Sequence, residues 1–251
     1  MMIGITGLGY LGQATSSAEI FAVLYRSVVR HGWDRFVLSP GHYAVAHYAA
    51  AADAGLLAES ALGTYGQDGS WLESISTERT PLLSATCGAL GQGLSVAAGL
   101  ALADSRLGDD RRTYVFCSDG EMEEGQVWEA AMFAGHHRLG GLTAVFDCNG
   151  SQVDGPVTSV TTIEPVLDKW RAFGWHAADV DGHDVAALRS AFSAALVDQR
   201  PSVVLARTSM LHGLPSLGTS GDAHFVDLDA DGLRRALDDT AEPALGGNDV
   251  Q

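Results

Sequence analysis

A strand–helix–strand unit over residues 113–150 constrains the fold of this 251-residue chain more than any other feature. Residues 114–117 are a short, mostly apolar run typical of a buried strand, and residues 142–146 are a second such run. The apolar residues between the two runs have helical spacing. Two strands joined by a helix predict neighbouring strands in an α/β fold.

Polar residues follow each of these strands. Asp119 and Gly120 come after the first strand, and Asn149 comes after the second. Ligands of open α/β sheets lie at the carboxyl ends of the strands. A carboxylate, an amide carbonyl and a nearby backbone carbonyl suit an octahedral hard cation that keeps phosphate oxygens among its ligands. The alternative is that Asp119 only caps a helix and Asn149 only makes a turn.

A glycine-rich segment near the start of the chain suggests a different cofactor. Residues 7–12 read GLGYLG and fit the Gly-x-Gly-x-x-Gly dinucleotide fingerprint. That fingerprint needs a second strand that ends in an acidic residue, but Asp34 comes before the apolar residues 36–38 rather than after them. The context therefore argues against NAD binding.

Four segments in order resemble the transketolase family. Residues 118–155 resemble its thiamine diphosphate fingerprint, which is usually a Gly-Asp-Gly followed by an Asn-containing turn. Residues 34–42 resemble the family's Ser-x-Gly-His turn, residues 86–99 its Thr-Thr-Gly-x-Leu-Gly-Gln-Gly segment, and residues 168–184 its Val-Asp-Gly-His-Asp strand end. Together these segments cover roughly residues 10–210. The first glycine of the fingerprint is replaced by serine here, and a cysteine precedes its asparagine.

The resemblance implies a three-layer thiamine diphosphate-binding fold, with a mostly parallel sheet and helices on both faces, over residues 1–236. Residues 237–251 have little to bury and are expected to form a mobile tail. The family's metal ligands fall on Asp119, Asn149 and the carbonyl of Ser151, which would hold Mg²⁺, Ca²⁺ or Mn²⁺. The full set of implied cofactor-binding residues is His42, Gly88, Leu90, Asp119, Gly120, Glu121, Asn149 and Ser151.

Other family positions concern the reaction. His42 and His224 match catalytic histidines, although a capping role is the alternative for His42. Tyr10 and Gln67 fall where the family has substrate-binding histidines, and neither can become cationic beside a phosphate. The substrate is therefore expected to differ from the ordinary sugar phosphates. Two acidic positions that link paired active sites in the family match Glu124 and Glu129, for which solvated helix carboxylates are the alternative.

The length of the chain leaves room for one domain with a substantial core. Transketolases usually carry diphosphate, pyrimidine and C-terminal domains in one chain, and nothing here resembles the last two. The resemblance thus implies the N-terminal subunit of a split enzyme, catalytically incomplete alone. Its expected partner is a C-terminal subunit with the pyrimidine-binding domain, in an α2β2 heterotetramer.

The implied reaction transfers a two-carbon ketol unit from a ketose or ketose phosphate donor to an acceptor. One alternative passes the unit to a lipoyl group, a carrier protein or a specialised-metabolite acceptor. A second alternative, from another functional class, is a non-catalytic regulatory subunit that has kept the fold. Retention of Asp119, Asn149 and His42 weighs against the regulatory reading.

Charge and composition limit the possible binding partners and the cellular compartment. The formal net charge of −16 argues against nucleic acid or an anionic membrane as a partner. No apolar run approaches the length of a membrane span, and the first twelve residues make a poor signal peptide. The three cysteines have no metal-ligand spacing, so we expect small buried side chains in a reducing cytoplasm.

Overall fold

The structure is a computed structural model that describes residues 2–218 and 223–241. A central sheet of six parallel strands organises this part of the chain. Ten strands are described in all, six in this sheet and four in two separate antiparallel pairs, β1 with β10 and β6 with β7. Their bounds are β1 (Leu8–Gly9), β2 (Arg35–Leu38), β3 (Ala85–Thr86), β4 (Thr113–Ser118), β5 (Leu142–Cys148), β6 (Ser151–Gln152), β7 (Gly155–Pro156), β8 (His176–Asp181), β9 (Ser202–Arg207) and β10 (Val226–Asp227). The sheet has the order β3-β2-β4-β5-β9-β8, and every neighbouring pair in it is parallel.

Helices alternate with these strands along the chain. They are α1 (Met2–Thr6), α2 (Leu11–Ser16), α3 (Ala18–Val23), α4 (Ala44–Asp53), α5 (Gln92–Leu107), α6 (Gly125–His136), α7 (Val157–Val160), α8 (Val166–Ala172), α9 (Val185–Val197) and α10 (Ala230–Thr240). Short 3₁₀ segments occupy Gly41–Tyr43, Glu59–Thr64, Asp119–Glu123 and Pro215–Leu217, and a π-helical segment spans Leu24–Val28.

Alternation of side chains along the strands builds a core on each face of the sheet. On one face, Val115 and Phe146 pack with apolar residues of α5, α6 and α8. On the other face, Phe116 and Val145 pack with α3, α4 and α9. Helices therefore cover both faces, which confirms the predicted three-layer α/β architecture with a parallel sheet.

The segment after Gly120 differs from the prediction of one continuous helix. A 3₁₀ turn forms first, because Ser118 and Glu121 make a reciprocal capping box around its start. Glu124 then adopts an extended conformation (φ −82°, ψ 123°), and α6 begins at the next residue. The break lets the first turn face the strand ends while α6 packs against the sheet.

The two ends of the chain also differ from simple expectation. The residues before the glycine-rich GLGYLG segment form the helix α1 rather than a strand, so the dinucleotide fingerprint lacks its strand. At the other end α10 continues to Thr240, four residues beyond the expected domain boundary at 236. The rest of the expected tail, residues 242–251, lies outside the described residues. None of the helices described is long and apolar enough to cross a membrane.

Candidate cofactor and active site

The carboxyl ends of the parallel strands meet at one edge of the sheet, and a pocket of about 390 Å³ opens there. This volume falls within the range of roughly 300–1,000 Å³ of small-molecule sites. The turns after β2, β4 and β5 all contribute to its wall. The lining residues are Tyr10, His42, Tyr43, Leu90, Ser118, Asp119, Gly120, Glu123, Glu124, Ser151, Gln152, Val153, Asp154, Val160 and His224. The structure thus brings most of the predicted site residues together.

Asp119 links the turn after β4 to the turn after β5. Its Oδ1 accepts a hydrogen bond from the N–H of Gly120 at 2.9 Å, and its Oδ2 accepts one from the N–H of Gly150 at 2.6 Å. Burial raises the pKa of Asp119 to about 7, and the nearby Asp147 adds to the rise, although the two N–H groups oppose it. A cation bound beside this carboxylate would favour its charged form.

Asn149 holds the second turn in shape. Its Oδ1 accepts a hydrogen bond from the N–H of Ser151 at 3.0 Å, while its Nδ2 donates to Asp147 Oδ2 at 3.0 Å. Ser151 lines the pocket, and Asn149, two residues before it, is not among the lining residues. The Asn149 oxygen and both oxygens of Asp119 each accept one of these hydrogen bonds and keep a lone pair. This set of oxygen donors fits a hard divalent cation.

Asp147 is a site residue that sequence reasoning missed. It is fully buried, and its carboxylate accepts hydrogen bonds from Ser16 Oγ at 2.6 Å, Tyr43 Oη at 2.8 Å, Asn149 Nδ2 at 3.0 Å and Thr208 Oγ1. Burial raises its pKa, and these four donors oppose the rise. The only signal was its place two residues before Asn149, because its other partners come from distant segments.

Glu121 lies behind the pocket rather than in its wall, which revises the predicted contact with the cofactor. Its side chain is fully buried and accepts hydrogen bonds from Ser39 Oγ and from the N–H groups of Gly91 and Ser118. These three partners lie near the carboxyl ends of β2, β3 and β4. Glu121 therefore holds three site-forming turns together.

Three aromatic rings, those of Tyr10, His42 and His224, line the pocket, and a fourth, that of Phe225, contacts Tyr10. Tyr10 lies 5.2 Å from His42 and 5.1 Å from Phe225 between ring centroids, and His42 lies 5.5 Å from His224. Burial lowers the pKa of His42 to about 4, and His224 contributes further. His42 is therefore neutral near pH 7 and can donate or accept a hydrogen bond. Phe225 is a further residue that the sequence did not assign.

Leu90 and Glu124 join this pocket, whereas the remaining predicted residues do not. Gln67 donates from Nε2 to the carbonyl of Gly63 at 2.9 Å and lines a separate surface pocket, which revises its predicted place beside the substrate. Glu129 is exposed on α6. Gly88 is exposed, and a Cβ added there would meet no protein atom within 4 Å.

The electrostatics of the pocket are acidic. Asp119, Glu123, Glu124 and Asp154 all line it, and none of the described lining residues is a lysine or an arginine. An anionic diphosphate would be repelled by these carboxylates without a bound cation. The pocket thus suits a diphosphate only together with a metal ion.

The cysteines near these motifs are buried rather than reactive. Cys87, Cys117 and Cys148 are free thiols with little exposure. Burial raises the pKa of all three, to about 11 for Cys87. Because the thiolate is the nucleophile, these side chains act as small core residues.

Comparisons with known proteins agree with this geometry. The family model for the thiamine diphosphate binding domain of transketolase matches residues 3–240. A putative uncharacterized transketolase family protein, y4mO, of Sinorhizobium fredii is 40% identical over 233 residues, covering 88% of this chain and 84% of that protein. The 6-deoxy-6-sulfo-D-fructose transketolase subunit SqwG of a Clostridium species is 42% identical over 216 residues, covering 82% of this chain and 78% of that subunit.

A solved structure gives the same result for the fold. The transketolase of Campylobacter jejuni superposes with a TM-score of 0.85 at 26% identity and covers 94% of this chain. This chain spans 40% of the length of that transketolase. Fold and pocket together define a thiamine diphosphate-binding domain. The chain belongs to the transketolase family, which confirms the resemblance seen in the sequence.

Proposed function

We propose that this chain is the diphosphate-binding subunit of a two-component, cytoplasmic transketolase-like enzyme. The enzyme transfers a two-carbon ketol unit from a ketose donor to an acceptor. The observation that carries this proposal is the combination of two oxygen donors at the strand ends, buried Asp119 and partly buried Asn149, with two pocket histidines, His42 and His224. Thiamine diphosphate when bound supplies a nucleophilic carbon and an acceptor for the electrons of the broken carbon–carbon bond.

In this proposal the chain anchors the cofactor through a metal ion. Asp119, Asn149 and the Ser151 carbonyl would hold Mg²⁺, with phosphate oxygens among its other ligands. The acidic pocket wall supports this arrangement, because the cation offsets the repulsion between the carboxylates and the diphosphate. Leu90, which is 45% exposed in the pocket wall, supplies an apolar surface for the cofactor ring.

In this proposal, His42 and His224 lie at the end of the pocket where the substrate reacts. Neutral His42 can accept a hydrogen bond from a substrate hydroxyl or hold a proton during the transfer. His224 lies beside it with ring centroids 5.5 Å apart, close enough for both side chains to contact one substrate. Tyr10 borders this space and Phe225 packs against Tyr10, so the pair contributes to the shape that a donor or acceptor must fit.

A partner subunit completes the proposed enzyme. The Clostridium relative SqwG is a transketolase subunit, and this chain covers most of its length. By analogy, a second polypeptide would carry the pyrimidine-binding domain and the carboxylate that activates the cofactor, in an α2β2 heterotetramer. Glu124, exposed at the pocket, and Glu129, exposed on α6, would join the acidic link between paired sites.

A second candidate keeps the cofactor and changes the acceptor to a lipoyl group, a carrier protein or a specialised metabolite. The family has a substrate-binding histidine at the position of Tyr10. Here Tyr10 instead makes an aromatic contact with Phe225, and this change in the substrate region favours a different acceptor. The hydrogen-bonded Asp119 and the neutral His42 both argue against a regulatory subunit without catalysis.

Reconstitution of the chain with a subunit that carries a pyrimidine-binding domain tests the proposal. The complex receives thiamine diphosphate, Mg²⁺, xylulose 5-phosphate and a series of aldehyde acceptors, and mass spectrometry identifies the products. We expect an acceptor extended by two carbons. Cofactor binding without any extended sugar would favour the second candidate, and absence of cofactor binding would contradict both.

A further inference from the structure

Three potential metal ligands converge outside the pocket. Glu19 lies on α3, His183 lies between β8 and α9, and His212 follows β9. His183 Nδ1 is 3.1 Å from Glu19 Oε2, and His212 Nε2 is 3.8 Å from Glu19 Oε1. One ligand atom from each residue lies within 4.8 Å of the other two. Three distant segments of the chain thus present one carboxylate and two imidazoles to a common point.

The two imidazole rings are stacked. Their centroids are 3.6 Å apart, and the ring planes differ by 11°. A neutral imidazole offers one nitrogen lone pair, so the two stacked rings and an oxygen of Glu19 could together supply three donors to one divalent cation.

We propose that Glu19, His183 and His212 form a Zn²⁺ site that is separate from the proposed magnesium site. Two imidazole nitrogens and one carboxylate oxygen are typical zinc donors, and water completes a tetrahedral set. The oxygen donors around Asp119 suit harder cations instead. None of the three zinc ligands lines the cofactor pocket, so the site does not rest on the proposed function.

Binding requires two local adjustments that the structure permits. The N–H of Ser209 donates to His183 Nε2 at 3.0 Å, which places the ring proton on Nδ1, facing Glu19. Zinc on Nδ1 requires the ring proton on Nε2, so the Ser209 N–H must rotate away from that nitrogen, and Ser209 Oγ, 3.4 Å from Nε2, then accepts a hydrogen bond from the Nε2–H. His212 must also turn so that its lone pair points at the ion, and its side chain is 46% exposed and has room to do so.

The position of the site gives it a structural role. Ser16 and Thr208 both donate to Asp147, and each lies a few residues before a zinc ligand, Ser16 before Glu19 and Thr208 before His212. A zinc ion would tie together the two segments that hold Asp147. We therefore expect zinc to raise the melting temperature of the chain.

Titration of the full chain with Zn²⁺ tests the site. Mg²⁺ is kept in excess so that oxygen-donor sites are filled, and calorimetry and metal analysis give the stoichiometry. We expect one tightly bound zinc per chain and, with Co²⁺ as a probe, the visible absorption of a tetrahedral ion. His212→Asn and Glu19→Gln should each weaken Zn²⁺ binding by at least about tenfold, and Ser209→Ala by up to about tenfold.

His136→Asn is the matched control, because His136 and His137 form another histidine pair without this carboxylate. It should leave the stoichiometry and the affinity unchanged. Zinc should raise the melting temperature of the wild type and of His136→Asn, but not that of His212→Asn, whose exposed position keeps the variant folded. Equal zinc affinity in the wild type and His212→Asn, or an equal loss in His136→Asn, would overturn the proposal.

Discussion

The floor and the mouth of the pocket are built in different ways. We define the floor as Asp119 of the pocket wall with Asp147 and Asn149 next to it, and the mouth as Tyr10, His42 and His224 of the pocket wall with Phe225, which contacts Tyr10. Each floor side chain makes at least two hydrogen bonds to strand-end turns, and Asp147 is fully buried. The mouth is joined by ring contacts of 5.1 to 5.5 Å, and Phe225 is 45% exposed. The sheet thus fixes the cofactor end, while the substrate end can change without disturbing it.

Replacement of His42 should separate the two regions most clearly. In the reconstituted enzyme, His42→Asn should lower kcat by about 10²–10⁴-fold, because a positioned proton carrier is lost. Affinity for thiamine diphosphate should change little, since the floor is intact. Because burial lowers the pKa of His42 to about 4, any loss of activity from its protonation should occur near that pH rather than at 6.5. Unchanged kcat, or a loss of thiamine diphosphate affinity, would contradict the separation of the mouth from the floor.

Replacement of Asp147 should damage the floor itself. Asp147→Ala leaves the buried donors of Ser16, Tyr43, Asn149 and Thr208 without their acceptor. We expect a loss of about 3 kcal/mol in the free energy of unfolding, measured with denaturant. The exposed pocket residue Asp154 provides the control, since Asp154→Ala should change stability by less than about 0.5 kcal/mol. Equal effects from both variants would contradict the assigned role of the network.

The pH dependence of cofactor binding reports on Asp119. Its pKa rises from 3.8 to about 7 in the metal-free fold, so the folded state keeps a proton that the unfolded state has lost. This proton-linked stability is present below about pH 3.8 and is lost as the pH rises through about 7.

A metal ion must displace the same proton. Affinity for Mg²⁺ with thiamine diphosphate should therefore weaken by about tenfold for each pH unit below 7 and level off above it. Calorimetry in two buffers of different ionisation enthalpy should detect close to one proton released per site at low pH. An affinity that is constant across this range would show that Asp119 does not carry the metal.

The smallest effect should come from the hydroxyl group of Tyr10. Tyr10→Phe keeps the ring contacts with His42 and Phe225 and removes one hydrogen-bonding group. We expect kcat/KM for the donor to fall by roughly fivefold, about 1 kcal/mol, with unchanged cofactor affinity. Gln67→Ala is the matched control and should leave both quantities unchanged, because Gln67 lines another pocket. A larger effect from Gln67→Ala would restore its predicted role at the substrate.

The floor could largely be predicted from the sequence, because Asp119 and Asn149 come shortly after two predicted strands. Residues 114–117 and 142–146 predict the strands, and the observed β4 and β5 extend them by one or two residues. Parallel strands then bring their polar ends together. Asp147 was missed because its acceptor role depends on Ser16 and Thr208, which are 131 and 61 residues away.

The mouth could be predicted only in part, because it depends on how loops fold. Gln67 was placed beside the substrate by its position in the family pattern. In the structure its loop folds on itself, with the Gln67 N–H donating to the Thr64 carbonyl and its side chain to the Gly63 carbonyl. Phe225 reaches Tyr10 from far along the chain, which no local pattern indicates.

Whether the strand ends hold the cofactor through a metal ion is tested by the affinity of the reconstituted complex for thiamine diphosphate, measured with and without Mg²⁺ for the wild type and Asp119→Ala. We expect tight, Mg²⁺-dependent binding in the wild type and a loss of at least about a hundredfold in Asp119→Ala. Thermal unfolding checks that the variant remains folded. Unchanged thiamine diphosphate affinity in Asp119→Ala would contradict the claim that the strand-end floor holds the cofactor through a metal ion.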